Sequence, residues 1–190
     1  MSVSLHDILQ DMKRFKNPIS DTGRDPSMYT RLGIRNILVA PNFTFNSVTF
    51  TGLADSQTLQ RTATYPVAIS FFFSKDKKIS ASYKNTYMKM QGVYGEFYSS
   101  LVDFKNTTVK VRCNCNDFRY RWSYYLSKVG SLIGRFKTYI KTGENPPVNP
   151  NKALGLCKHL TSFIKGLEES NYIISDPFAP EYNIIGQKQK

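Results

Sequence analysis

Residues 107–128 read TTVKVRCNCNDFRYRWSYYLSK, and the change of texture inside this stretch decides the fold class. Residues 107–112 predict a strand that runs into Cys113-Asn114-Cys115. From Phe118 onward the apolar positions take helical spacing. Phe118, Trp122, Tyr125, Leu126, Val129, Ile133, Phe136 and Ile140 predict a helix along this face. Strand character precedes the stretch and helical character follows it. The chain is therefore expected to be α+β, with a boundary near residue 105.

Upstream, residues 4–16 carry Leu5, Ile8, Leu9, Met12 and Phe15 at helical spacing, with Ser4 and Asp7 placed to cap a short amphipathic helix. Residues 17–29 hold two prolines, a glycine and small polar residues, and read as a loop or extended arm. From residue 33 to 83 the texture is β. Residues 34–40 are an apolar run. Phe43 and Phe45 alternate with Thr44, and Val48 and Phe50 resume after Asn46-Ser47, which suggests a hairpin or bulge. Val67, Ile69, Phe71 and Phe73 alternate cleanly, as do Ile79, Ala81 and Tyr83 after the charged turn at 75–78, which predicts a second hairpin. Such short strands suit an antiparallel sheet or small sandwich. Residues 87–101 fit either a strand broken by Gly92 and Gly95 or a poor helix.

Downstream, residues 143–151 (GENPPVNPN) form a rigid Pro/Asn loop, and Leu160, Phe163, Ile164 and Leu167 mark a further helix. The stretch from 172 onward is apolar yet broken by Pro177 and Pro180, as an extended arm would be. Three parts are expected: 1–104, an N-terminal helix plus β-rich region; 105–170, a basic metal-binding module; and 171–190, a C-terminal arm.

The 190 residues are 41% hydrophobic and 21% charged, which excludes bulk disorder and allows a sizeable core without disulfides. No apolar run approaches the roughly 20 residues that span a bilayer, and the first residues lack the apolar stretch of a secretory signal. A chain made in the cytoplasm and kept off membranes is expected. The formal net charge is +12, and residues 105–165, with twelve basic and two acidic side chains, account for +10 of it. That segment reads as a surface for phosphates or for an acidic partner.

All three cysteines and one of the two histidines fall into two tight pairs, Cys113-x-Cys115 and Cys157-x-His159. Together they are a complete Cys3His set of the kind that holds a structural zinc ion. At a strand end, residues i and i+2 point to one face, so two thiolates can meet one ion. Two positions apart on a helix face nearly opposite ways, so Cys157 should precede a helix and His159 lie in its first turn. A disulfide is disfavoured by the odd count and by the strain of a bridge inside Cys-x-Cys. Buried free thiols and a Cys157/His159 nucleophile pair stay open, although the latter lacks an orienting group and leaves the first pair unexplained.

CNC at 113–115 and CKHLTSFI at 157–164, separated by 41 residues, resemble the SWIM-type zinc finger over roughly residues 108–168. That resemblance implies Cys113, Cys115, Cys157 and His159 as metal ligands. The strings CNCNDFRYRWSYYLSK, GRFKTYI and NPPVNPNKALGLCKHL are also similar to small virion proteins of contractile-tailed bacteriophages. This second resemblance implies a structural part of a phage particle (tail, baseplate or head–tail connection), assembled in the virion with other virion proteins and with copies of itself. Segments 17–31 and 172–190 would then dock on neighbouring subunits.

RYRWSYYLSK interleaves cations with aromatic rings, a composition that can track a phosphate backbone and stack bases. Trp122 fits the buried stripe, whereas Arg119, Tyr120, Arg121, Tyr124 and Lys128 are candidate contacts to a protein partner or to nucleic acid. A SWIM-type nucleic-acid-binding protein is the rival reading. No paired carboxylates, glycine-rich phosphate loop, HExxH or GxSxG motif points to an enzyme.

Overall fold

The computed structural model describes residues 3–14, 32–56, 64–73, 79–80, 88–99, 102–103, 107–135, 149 and 153–174. It is α+β, built on a four-stranded antiparallel sheet. β1 (Ile34–Asn42), β2 (Ser47–Asp55), β3 (Thr64–Phe72) and β8 (Thr108–Cys113) lie side by side in the order β1-β2-β3-β8. Period-2 alternation puts Val48, Phe50 and Ala54 of β2, Val67, Ile69 and Phe71 of β3, and Val109, Val111 and Cys113 of β8 in the core. The register matches them across strands: Val67 opposes Cys113, Ile69 opposes Val111 and Phe71 opposes Val109. The strand carrying the first cysteine is thus hydrogen bonded into the sheet formed by residues before 105.

Helix α3 (Lys158–Glu169) lies against β1, β2, β3 and β8, burying Leu160, Phe163, Ile164 and Leu167. Helix α1 (Leu5–Arg14) adds Leu5, Ile8 and Met12 to the same core. Its start is a reciprocal cap: the Asp7 amide donates to Ser4 Oγ (3.2 Å) and the Ser4 amide donates to Asp7 Oδ2 (2.8 Å). The Ser4 amide, as the leading cause, holds the Asp7 carboxyl below its usual range. Residues just before α1 pair with β8, Val109 N–H donating to Val3 O at 2.9 Å.

β5 (Met88–Gly92) and β6 (Gly95–Ser99) form a hairpin, with β4 (Ile79–Ser80) on the far side of β6. Over residues 88–99 this resolves the open reading in favour of strands, and residues 87, 100 and 101 lie outside the described residues. It also corrects the expected pairing across 75–78: β4 pairs with β6, and that turn itself lies outside the described residues. Phe43 and Phe45 are not strand positions. They occupy the β1–β2 turn and are 50% and 69% exposed.

The helix expected from Phe118 is shorter than its apolar spacing implied. A π-helical turn, Phe118–Trp122, leads into α2 (Ser123–Lys128), and there it ends. Gly130 adopts φ +73° and Ser131 N–H donates to Leu126 O (2.8 Å), a left-handed helix cap. The chain then runs beside β8, where Val111 N–H donates to Ser131 O and Ile133 N–H to Val111 O. Val129 and Leu132 are still packed on or in the core, but from a turn and an extended segment. Phe136 and Ile140 lie outside the described residues.

Of the expected arms, 17–31 falls outside the described residues. At the start of the second, Tyr172 packs on Phe50 of its own chain, ring centroids 5.4 Å apart. β9 (Ile173–Ile174) then pairs in parallel with β7 (Val102–Asp103). No described helix is long and apolar enough to cross a membrane.

Candidate metal centre

Cys113, Cys115, Cys157 and His159 converge. Their ligand atoms all lie within 4.8 Å of one another, and all four residues are buried. Donors around a four-coordinate ion with bonds of about 2.0–2.3 Å sit roughly 3.5–3.8 Å apart, so closing on an ion needs movements of about 1 Å at most. The four residues form a group that could hold a metal.

Each ligand is delivered by backbone geometry that its sequence position explains. Cys113 ends β8 on the core face, opposite Val67. Asn114 extends that ladder by one step, its N–H donating to Pro66 O (3.3 Å). Cys115 then turns inward, and Arg119 N–H donates to its carbonyl at 3.0 Å to open the helical segment. Two amides aim at sulfur: Cys115 N–H at Cys113 Sγ (3.4 Å) and Phe118 N–H at Cys115 Sγ (3.3 Å). Such donors stabilise thiolates in a buried setting. Cys157 is the N-cap of α3, with extended backbone at φ −76° and ψ 164°, and His159 sits in the first turn. The angular argument from the sequence anticipated this placement.

Both ring nitrogens of His159 are buried, and outside the Cys3His group neither has a hydrogen-bond partner among the described residues. An unsatisfied buried imidazole is costly, and a metal bond to one nitrogen is the simplest compensation available at this place. The ring is positioned by Tyr65, whose centroid lies 4.5 Å away.

The three thiols form no disulfide. Hydrogen bonds from the Cys113 and Cys157 thiols, the former the larger cause, hold Cys115 far below the usual thiol range despite its burial. Cys113 is pushed up to about 12, chiefly because its proton is held against Cys115. Burial, then its bond to Cys113, pushes Cys157 up as well. Three buried sulfurs this close together, with Cys115 held toward its thiolate, make a pocket suited to a cation.

The segment carrying Cys157 is fastened by residues that the sequence reading did not select. Asp11 Oδ2 accepts from Leu154 N–H (2.7 Å), and Met12 Sδ accepts from Leu156 N–H (3.1 Å). Asn149 Nδ2 donates to Arg121 O (3.1 Å) and to Ala153 O (2.8 Å), while its Oδ1 accepts from Ala153 N–H (3.1 Å). The Asn-Pro composition of 143–151 was a signal for a rigid loop but not for these partners. Asn149→Ala leaves the buried Ala153 amide unpaired, which costs about 1–3 kcal/mol. Its melting temperature should fall by roughly 2–10 °C in calorimetry, and an unchanged value would deny the clamp its role.

The candidate contact residues divide. Arg119 stacks over Tyr120 (5.4 Å) and Lys128 over Tyr124 (5.3 Å), all four exposed. Arg121 is instead turned inward, paired with Asp117 at 2.8 Å and 14% exposed. Trp122 is buried, as its place on the apolar stripe implied.

No family model matches the chain, and no curated protein and no solved structure matches it.

Proposed function

We propose that this chain is a structural protein whose fold is fastened by one zinc ion held by Cys113, Cys115, Cys157 and His159. The observation that carries this reading is the convergence of four buried donors within 4.8 Å, with neither His159 nitrogen partnered outside the group among the described residues. Three thiolates and one imidazole are a donor set that favours zinc, and four protein donors leave no open position for a substrate. The role of the ion is mechanical: it ties the end of β8 to the start of α3 across 41 intervening residues. Elemental analysis of the reduced, purified chain should find one zinc per chain, and less than one after careful preparation would sink the claim.

Metal loading should also release protons. Burial and their mutual bonds hold the Cys113 and Cys157 thiols above the ordinary range, so these protons must leave when an ion binds. Affinity therefore falls as pH drops. Zinc titrated into metal-free protein in weak buffer should acidify it. Zero release would mean that the ion binds elsewhere.

The similarity of residues 113–160 to small virion proteins of contractile-tailed phages supports a place in a phage particle, among other virion proteins and copies of the same chain. Peptides of this chain in purified particles, at a copy number matching a symmetric ring, would support that placement, and their absence would remove it. A nucleic-acid-binding module of SWIM type is the second reading, favoured by the exposed Arg119–Tyr120 and Lys128–Tyr124 pairs. It requires binding that weakens steeply with salt.

A further inference from the structure

Beside the metal group, on the outer side of β8, lies a cavity of about 310 Å³. Its lining includes Arg112, Arg119 and Arg135, with Asn114, Ser123 and Cys113, and no carboxylate among the described residues. Arg112 is fixed, its Nη1 donating to Ile133 O (2.9 Å) and Arg135 O (3.0 Å). A guanidinium has five N–H donors, so most of those on Arg112 remain for another acceptor. Arg119 is engaged by the ring of Tyr120. The one acid between residues 107 and 135, Asp117, pairs with Arg121 and is not among the described lining residues.

Three arginine residues line this one cavity, which makes its surroundings favourable to an anion. With three cationic residues lining it, the cavity favours the ligand that carries more than one negative charge. A carboxylate carries one, whereas a phosphate monoester carries close to two charges above pH 7 and offers three acceptor oxygens that guanidiniums bind in pairs. The exposed Tyr120 ring beside Arg119 adds a face on which a base can stack.

We propose that this cavity is a phosphate site, taking the doubly charged monoester of a nucleotide, either free or as the 5′ end of a nucleic-acid strand. The site stands on the arginines and needs no metal, so it can fail or hold independently of the zinc reading.

Calorimetric titration of the full chain, as purified with its metal content recorded, tests it. The probes are inorganic phosphate, AMP, and a single strand of about eight nucleotides with and without a 5′ phosphate. The phosphorylated strand or AMP should bind at least about tenfold more tightly than the unphosphorylated strand. Which of the two binds better identifies the source of the phosphate. Arg119→Gln/Arg135→Gln should erase the preference while leaving the metal content unchanged. A charge-matched control, Lys89→Gln/Lys165→Gln, outside the lining, should keep it. Equal binding with and without the phosphate would overturn the proposal, as would equal losses in both double variants. Hexaglutamate binding as tightly as the phosphorylated strand would overturn it in favour of an acidic protein partner.

Discussion

Cys157→Ser is expected to lose the bound metal and to melt about 10–20 °C below the parent chain. Cys157 is fully buried at the N-cap of α3, and its Sγ lies within 4.8 Å of the sulfurs of Cys113 and Cys115 at the end of β8. Zinc contributes an apparent ~10–16 kcal/mol to small fingers that are unfolded without it. Here the sheet, α1 and α3 already share an apolar core, so a smaller share, about 4–6 kcal/mol, is the reasonable expectation. At roughly 2–4 °C per kcal/mol for a chain of this size, that gives the stated drop. If the cysteines were only packing residues, a buried hydroxyl in place of the thiol would cost about 1–3 kcal/mol. The two magnitudes overlap too little to be confused, and a chelator separates them further. A strong zinc chelator should lower the melting temperature of the parent chain and leave that of Cys157→Ser unmoved. A parent chain indifferent to the chelator would end the zinc reading.

The Cys3His group was legible because its two halves are local. Cys-x-Cys at a strand end and Cys-x-His at a helix start each constrain their own side chains, and the fold had only to bring the halves together. α1 was legible for the same reason: apolar spacing and the Ser4–Asp7 cap lie within a few residues. The end of α2 was not, because Val129 and Ile133 keep a spacing that serves a helix and an extended segment alike. What stopped the helix was Gly130 at φ +73° together with the unpaired edge of β8, which offered Val111 N–H and C=O to residues 131–133. Only the glycine was visible in the sequence. The pairing of β4 with β6 was likewise illegible, since alternation names a strand without naming its neighbour. Asp11, Met12 and Asn149 escaped because their partners lie on backbone near Cys157 that no motif advertises.

Gly155→Ala is expected to damage both the fold and the metal group, although the residue touches no ligand atom. A Cβ at this position would sit 2.4 Å from Trp122 Cζ3 and 2.6 Å from Cε3, far inside van der Waals contact. Trp122 is buried in the core, and Ala153, Leu154 and Leu156 are held by Asn149, Asp11 and Met12, so neither side can yield cheaply. Overpacking of this kind costs about 1–3 kcal/mol, and a rigid ring met face-on belongs at the upper end. The displaced segment delivers Cys157 two residues later, and a shift of about 1 Å in one ligand lowers metal affinity along with stability. The expected result is a fall of roughly 6–12 °C in melting temperature together with weaker zinc retention in competition with a chelator. Trp122→Leu should itself be destabilising, since it opens a cavity of its own. Added to Gly155→Ala, however, it removes the ring that the new methyl meets. The double variant should therefore lose less stability than the two single losses combined, by about 1 kcal/mol or more. Strict additivity would show that the two residues do not press on each other. Normal zinc retention in Gly155→Ala would show that the metal group tolerates movement of the segment that carries Cys157.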